Sequence, residues 1–187
     1  ALEGSAPVFA EIPGLVYLAD GRLCKNPVQS PVTMDTCPGP DYTTLPLDRY
    51  LLPLISRWLP YRLSRGCSWG KCSFCSWTTT YPVFNSRSHD NLLDEIGFLI
   101  KEHGVKEIFD DTGSFPGGEW LKKFCNGMIE RGYNKEILFS CNMRFDYLKK
   151  DVPELMKKAG FRKIKSGLES ANQNTLDRVN KGIKVQD

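Results

Sequence analysis

His89-Asp-Asn-Leu-Leu-Asp-Glu-Ile-Gly-Phe-Leu-Ile-Lys-Glu-His103-Gly104-Val105-Lys-Glu-Ile-Phe109-Asp110-Asp111 is the stretch whose pattern decides the fold. Leu92, Leu93, Ile96, Phe98, Leu99 and Ile100 form a helical stripe, and Gly104 ends it. Val105–Phe109 then reads as a short buried strand that closes on two carboxylates. A helix that returns through one glycine into an apolar strand is the second half of a strand–helix–strand unit with parallel strands.

The same unit recurs toward the C-terminus. Gly118 to Arg131 reads as a helix opened by Pro116, with Trp120, Leu121, Phe124, Met128 and Ile129 on one face and Gly132 as its stop. Ile137–Met143 is the next strand and ends at Arg144. Pro153 to Ala159 is a short helix closed by Gly160, and Phe161–Leu168 is a strand ending at Glu169-Ser170. Asn174 to Asn180 starts a further helix. On the N-terminal side, Tyr61–Arg65 reads as the first strand of the series. Four strand–helix units with right-handed crossovers predict an α/β fold with a parallel sheet. Four strands do not close an eight-stranded barrel, so the expectation is part of a (β/α) TIM-like barrel or an open sheet.

Residues 1–59 have another character. Val8 to Leu18 alternates loosely, Asp20-Gly21 is a turn, and Arg22-Leu23-Cys24 is the return strand. From Asn26 to Pro46 prolines and polar residues dominate, as in an ordered linker. Asp48 to Leu59 is apolar but interrupted by Pro53, which fits a short helix or an extended arm. The expected organisation is a connector over 1–59 and a strand–helix domain over 60–187.

Between the first strand and the helix at His89 lies Cys67-Ser-Trp-Gly-Lys-Cys72-Ser-Phe-Cys75, spaced C-x4-C-x2-C. Three thiolates so close can converge on one metal centre. Structural zinc sites and ferredoxin-type clusters are usually closed by four protein ligands. Three ligands with one open position fit a [4Fe–4S] cluster whose fourth iron is left for something other than protein. A zinc site completed by Cys141, or three buried thiols, is the competing reading.

Ligands of parallel sheets bind beyond the carboxyl ends of the strands. The cysteine loop, Asp110, Asp111, Arg144, Glu169 and Ser170 all fall there. The Asp pair also fits a helix cap or a solvated turn. Arg144 fits either a salt bridge, to Asp146 or to a rim Asp, or a clamp for a ligand carboxylate. Trp69, Phe74 and Trp77 would give a cluster an apolar shell.

The 187 residues are 41% apolar, enough for a sizeable core, and the net charge of +3 is too small to argue for nucleic acid. No apolar run reaches the length of a membrane span, and the start Ala-Leu-Glu-Gly-Ser lacks the pattern of a signal peptide. Seven cysteines, an odd count with three clustered, suit a reducing cytoplasmic setting better than a disulfide framework. With no initiator Met, the chain is expected to be a piece of a longer protein or a processed form.

Taken together, Ser64-Arg-Gly-Cys67, Cys72-Ser-Phe-Cys75, Phe109-Asp-Asp-Thr, Asn142-Met-Arg144, Gly167-Leu-Glu-Ser170, Leu176 and Asn180-Lys-Gly182 resemble the radical S-adenosylmethionine (radical SAM) superfamily. The upstream Ile12-Pro-Gly-Leu-Val-Tyr, Asp20-Gly21 and Leu45-Pro-Leu-Asp48 resemble the connector of its cobalamin-binding branch, where a cobalamin domain precedes it. The resemblance implies that Cys67, Cys72 and Cys75 hold three irons of a [4Fe–4S] cluster. S-adenosylmethionine would bind the fourth, and one electron would cleave it to methionine and a 5′-deoxyadenosyl radical. Phe74 would then lie near adenine, Asp110 or Asp111 near the methionine amine, and Arg144, Glu169 and Ser170 near the carboxylate or ribose. The implied enzyme takes electrons from a donor such as flavodoxin or ferredoxin. It acts on a small-molecule or peptide substrate by methylation or rearrangement, with cobalamin bound mainly by a region outside these residues. A cobalamin-independent radical SAM enzyme and a non-catalytic zinc or iron–sulfur module are the alternatives. The common family spacing is C-x3-C-x2-C, so the first gap here is one residue longer.

Overall fold

A computed structural model describes residues 8–30, 32–49, 51–52, 55–149 and 151–186. Pro53 and the start Ala-Leu-Glu-Gly-Ser lie outside the described residues. The chain divides into two compact units, Ala1–Val32 and Thr33–Asp187.

In the first unit, β1 (Val16–Ala19) and β2 (Arg22–Lys25) form the expected antiparallel hairpin around Asp20-Gly21. The Asn26 side chain donates to the carbonyls of Phe9 (2.6 Å) and Ile12 (2.8 Å) and so fixes the approach to the hairpin.

In the second unit the first strands form a two-residue antiparallel ladder, β3 (Leu51–Leu52) with β4 (Ile55–Ser56). The chain continues as β5 (Trp58–Tyr61), β6 (Ser64–Arg65), α1 (Trp77–Thr80), β7 (Asn85–Ser86), α2 (His89–His103) and β8 (Glu107–Asp110). It ends with α3 (Gly118–Glu130), β9 (Leu138–Asn142), α4 (Val152–Lys158), β10 (Phe161–Lys165) and α5 (Gln173–Arg178). The main sheet has the order β10-β9-β8-β5, and all its pairs are parallel. Each strand lies beside its neighbour in sequence, as in the wall of a (β/α) barrel, so all four carboxyl ends share one rim.

Local chemistry explains the helices. The Ser88 hydroxyl caps α2 by accepting from the Asn91 N–H at 3.2 Å, and the Gly104 N–H closes its other end on Ile100. Leu92, Leu93, Ile96 and Leu99 are buried, as the stripe predicts. Phe98 is not; it is 52% exposed and packs against His103 in a T-shaped ring contact. A helix has one inward face, and Phe98 lies outside it. On α3, Leu121, Phe124, Cys125 and Met128 face inward. Phe115, Phe124, Phe139 and Phe161 form the centre of the core, with ring centroids 5.0–6.1 Å apart. Burying one such ring contributes about 1.5–3 kcal/mol.

The first strand is displaced from its expected position. The sheet strand is Trp58–Tyr61, not Tyr61–Arg65. Pro60 is tolerated there because β5 is an edge strand of the described sheet. The ladder stops because the Leu63 N–H is taken by the Asp110 carboxylate at 3.1 Å. Ser64 and Arg65 then pair antiparallel with Ser86 and Asn85.

Candidate functional site

The β6/β7 ladder ties together the two ends of an excursion that contains all three clustered cysteines. Gly66 opens it with φ +79°, and a Cβ there would lie 2.7 Å from the Val83 carbonyl. Only glycine meets both demands. On the far side Gly113, after β8, passes so close that a Cβ would lie 2.8 Å from the Gly66 carbonyl and 3.1 Å from the Cys67 Cβ. A turn carries the Cys75 N–H to the Cys72 carbonyl (3.2 Å), and the Thr78 hydroxyl donates to the Cys75 carbonyl at 2.7 Å.

Cys67, Cys72 and Cys75 line one cavity of about 390 Å³ at the carboxyl rim. Trp69, Phe74 and Trp77 supply apolar wall, with Phe74 55% exposed. Asn142, Arg144, Lys165, Glu169 and Lys181 supply polar wall. Burial pushes the Cys72 thiol up; Lys181 pulls it down, Cys75 and Cys67 raise it, and Arg144 lowers it. Among the described residues, no group of three or more His, Cys, Asp or Glu side chains is gathered closely enough to hold a metal ion. Cys141 does not reach the rim. It is fully buried beside Asp110 and Cys125, and that burial holds its thiol well above the usual range. The cavity offers three soft sulfur donors with Lys181 and Arg144 close to Cys72, a donor set whose chemistry fits an iron–sulfur cluster carrying an open iron.

The other candidate residues separate into two groups. Phe74, Arg144 and Glu169 line the cavity, whereas Asp110, Asp111 and Ser170 do not. Asp110 is fully buried and accepts from Leu63 N–H and, at 2.5 Å, from the Thr112 hydroxyl. Burial pushes its carboxyl up to about 7, against the pull of those hydrogen bonds. Asp111 pairs with Arg62 at 3.6 Å and accepts from the Asn142 side chain at 3.2 Å. The Ser170 hydroxyl accepts from the Asn172 N–H at 3.0 Å, a local turn bond.

Arg144 has most of its donors engaged. Its guanidinium makes a bidentate pair with Asp146 (2.9 and 2.8 Å) and reaches the carbonyls of Lys181 (2.9 Å) and Gly182 (3.3 Å). Glu169 has a left-handed backbone, φ +62°, and its carboxylate meets Lys181 Nζ at 2.9 Å. A non-glycine residue held there carries backbone strain.

Sequence pattern did not single out Lys165, Lys181 or Asn142 for a role. Lys165 ends β10, and its Nζ sits 4.2 Å from the centroid of the Phe109 ring. For Asn142 and Lys165, position at the carboxyl end of a parallel strand was the available signal; Lys181 follows α5 and had no such signal.

The curated relatives of the chain include the anaerobic magnesium-protoporphyrin IX monomethyl ester cyclase of Rubrivivax gelatinosus, 28% identical over 92% of this chain and 32% of the relative. Another is the bacteriochlorophyllide d C-12(1)-methyltransferase of Chlorobaculum tepidum, 30% identical over 80% of the chain and 32% of the relative. Among solved structures, the cobalamin-dependent S-adenosylmethionine radical enzyme OxsB matches with a TM-score of 0.74 at 20% identity, over 95% of this chain and 27% of that one. The chain thus spans about a third or less of the length of these proteins. The likeness to OxsB is one of fold. The model of the radical SAM superfamily matches residues 61–187, so the chain belongs to the radical SAM superfamily.

Proposed function

We propose that the chain is part of a radical SAM enzyme that carries out cobalamin-dependent methylation or rearrangement of an unactivated small-molecule or peptide substrate. The observation that carries the reading is the cavity itself. Its lining includes all three cysteines together with Lys165, Lys181 and Glu169, whereas Cys141 is buried away from it. When bound, a [4Fe–4S] cluster and S-adenosylmethionine would supply one-electron cleavage of the sulfonium and a carbon radical. Cys67, Cys72 and Cys75 hold the cluster in this reading. Phe74 offers a face for the adenine, and the cations and Glu169 offer partners for the methionine and ribose groups. The apolar wall of Trp69 and Trp77 limits water.

The cobalamin assignment leans on the connector pattern of residues 12–48 and on the fold shared with OxsB, itself a cobalamin-dependent enzyme. In this reading residues 1–59 are the connector and 60–187 the first part of the core domain, although the junction falls inside β5 (Trp58–Tyr61), whose first residues already pair in the core sheet. All seven cysteines are free, which accords with a cytoplasmic protein reduced by a flavodoxin- or ferredoxin-type donor.

Anaerobic reconstitution with iron and sulfide tests the site. The chain should take up four irons, and Cys67→Ala should abolish uptake. Binding of zinc without a four-iron cluster would overturn the reading. In the full-length protein, 5′-deoxyadenosine should form on reduction, and product should require added cobalamin. Product formed equally without cobalamin would favour the cobalamin-independent alternative.

A further inference from the structure

The four carbonyls of Val179, Asn180, Lys181 and Gly182, consecutive in the chain, are all engaged from across the cavity wall. Val179 O accepts from the Ser73 N–H at 3.0 Å, and Asn180 O from Trp69 Nε1 at 2.8 Å. Lys181 O and Gly182 O accept from the Arg144 guanidinium at 2.9 and 3.3 Å. Two of the donors, Ser73 and Trp69, belong to the cysteine loop. Asn180 and Gly182 have left-handed backbones, φ +52° and +68°. Such a turn redirects successive carbonyls, which a helix would hold parallel.

Trp69 is the centre of this arrangement. It lies within the long first gap of the cysteine motif. The Arg144 guanidinium carbon sits 4.6 Å from its ring centroid and Lys71 Nζ 5.1 Å. A Cβ on Gly182 would overlap the six-membered ring of Trp69, so the ring lies directly against that glycine. The Lys181 side chain meanwhile turns to Glu169 and stands 6.0 Å from the Phe74 ring.

We infer that Trp69 and the stretch Val179–Gly182 form a clamp that holds the cysteine loop in its ligand-presenting shape, with Trp69 as a positioning residue for the cluster. The inference rests on Cys67, Cys72 and Cys75 being the cluster ligands. It gives the lengthened gap a purpose, since the gap supplies the ring that seats on Gly182. It also makes Arg144 part of the clamp, because the guanidinium that orients the last two carbonyls is the one beside the Trp69 ring.

A double-mutant cycle on the reconstituted chain tests the clamp. Trp69→Ala and Gly182→Ala should each speed iron release to a chelator by about tenfold or more, about the loss of one hydrogen bond and its packing. Trp69→Phe, which keeps a ring on Gly182, should fall between them and wild type. Adding Gly182→Ala to Trp69→Ala should speed release by less than Gly182→Ala does alone, because the ring it displaces is gone and only the strain of an alanine at φ +68° remains. The change that S-adenosylmethionine induces in the electron paramagnetic resonance spectrum of the reduced cluster should be lost in Trp69→Ala and kept in Trp69→Phe. Wild-type release and spectrum in Trp69→Ala, or full additivity of the two substitutions, would overturn the clamp. If the wild-type chain takes up no four-iron cluster, the site reading fails. The clamp is then decided by amide exchange without a cluster. The Ser73 N–H should be protected in wild type and exposed in Trp69→Ala, and equal exchange in both would overturn it.

Discussion

Asp110, the last residue of β8, accepts the N–H of Leu63, two residues beyond the end of β5, at 3.1 Å. That bond ends one strand from the tip of another and sets where the cysteine excursion begins.

The same carboxyl should make stability depend on pH. Burial pushes it up to about 7, whereas the ordinary value is 3.8. The folded chain therefore keeps this proton to higher pH than the unfolded chain. Its contribution is fully present below about pH 4 and is lost as pH rises through 7, by as much as about 4 kcal/mol. Urea melts should show wild type weakening across that window, with Asp110→Asn flatter. Parallel slopes would refute the assignment.

Glu107 opens β8 almost fully buried and accepts from the Ser140 hydroxyl (2.7 Å) and Arg162 (2.7 and 3.2 Å). Arg162→Ala leaves a buried carboxylate without its cation and should cost about 3 kcal/mol in denaturant melts. Glu107→Gln in that background should recover part of the loss. If the second change only adds to the damage, the pairing is not what matters.

Gly66 and Gly118 separate strain from collision. Both have positive φ, +79° and +62°, but only Gly66 has backbone within contact range of a Cβ. Gly118→Ala should cost about 1–2 kcal/mol and leave reconstituted iron unchanged. Gly66→Ala should cost more and lower the iron content, because the excursion must shift. Equal losses in the two variants would count against this.

Cys75 and Cys141 make the matching comparison for the thiols. Cys75→Ala should lose the cluster with little change in the stability of the metal-free chain, since Cys75 lies at the cavity wall. Cys141→Ala should keep full iron and lose about 1 kcal/mol, the cost of a small cavity under the sheet. Iron loss in Cys141→Ala would place that thiol in the site after all.

The regular elements were legible because their signals are local. The apolar stripes of α2 and α3, the glycines after them and the short apolar runs of β8, β9 and β10 all lie within a few residues of what they specify. The first strand was misread because its end depends on Asp110, which is 47 positions away in sequence. Phe98 was misread because a wide stripe does not say which of its edges meets the core. For Arg144 the sequence offered a clamp or a salt bridge, and local spacing could not choose. Asp146, two residues on, takes the bidentate pair, and the carbonyls of Lys181 and Gly182 take the remaining bonds.

By itself, the sequence determined the helix and strand periods, the carboxyl rim as the place for chemistry, and three thiols spaced for one centre. Those are properties of short stretches, and the backbone reads them nearly independently of its surroundings. Tertiary structure alone decided which rim residues face the cavity, that Cys141 lies beneath it, and that the lengthened cysteine gap seats Trp69 on Gly182. These depend on contacts between residues far apart in the chain, whose loop-closure cost is met only when the whole sheet has formed.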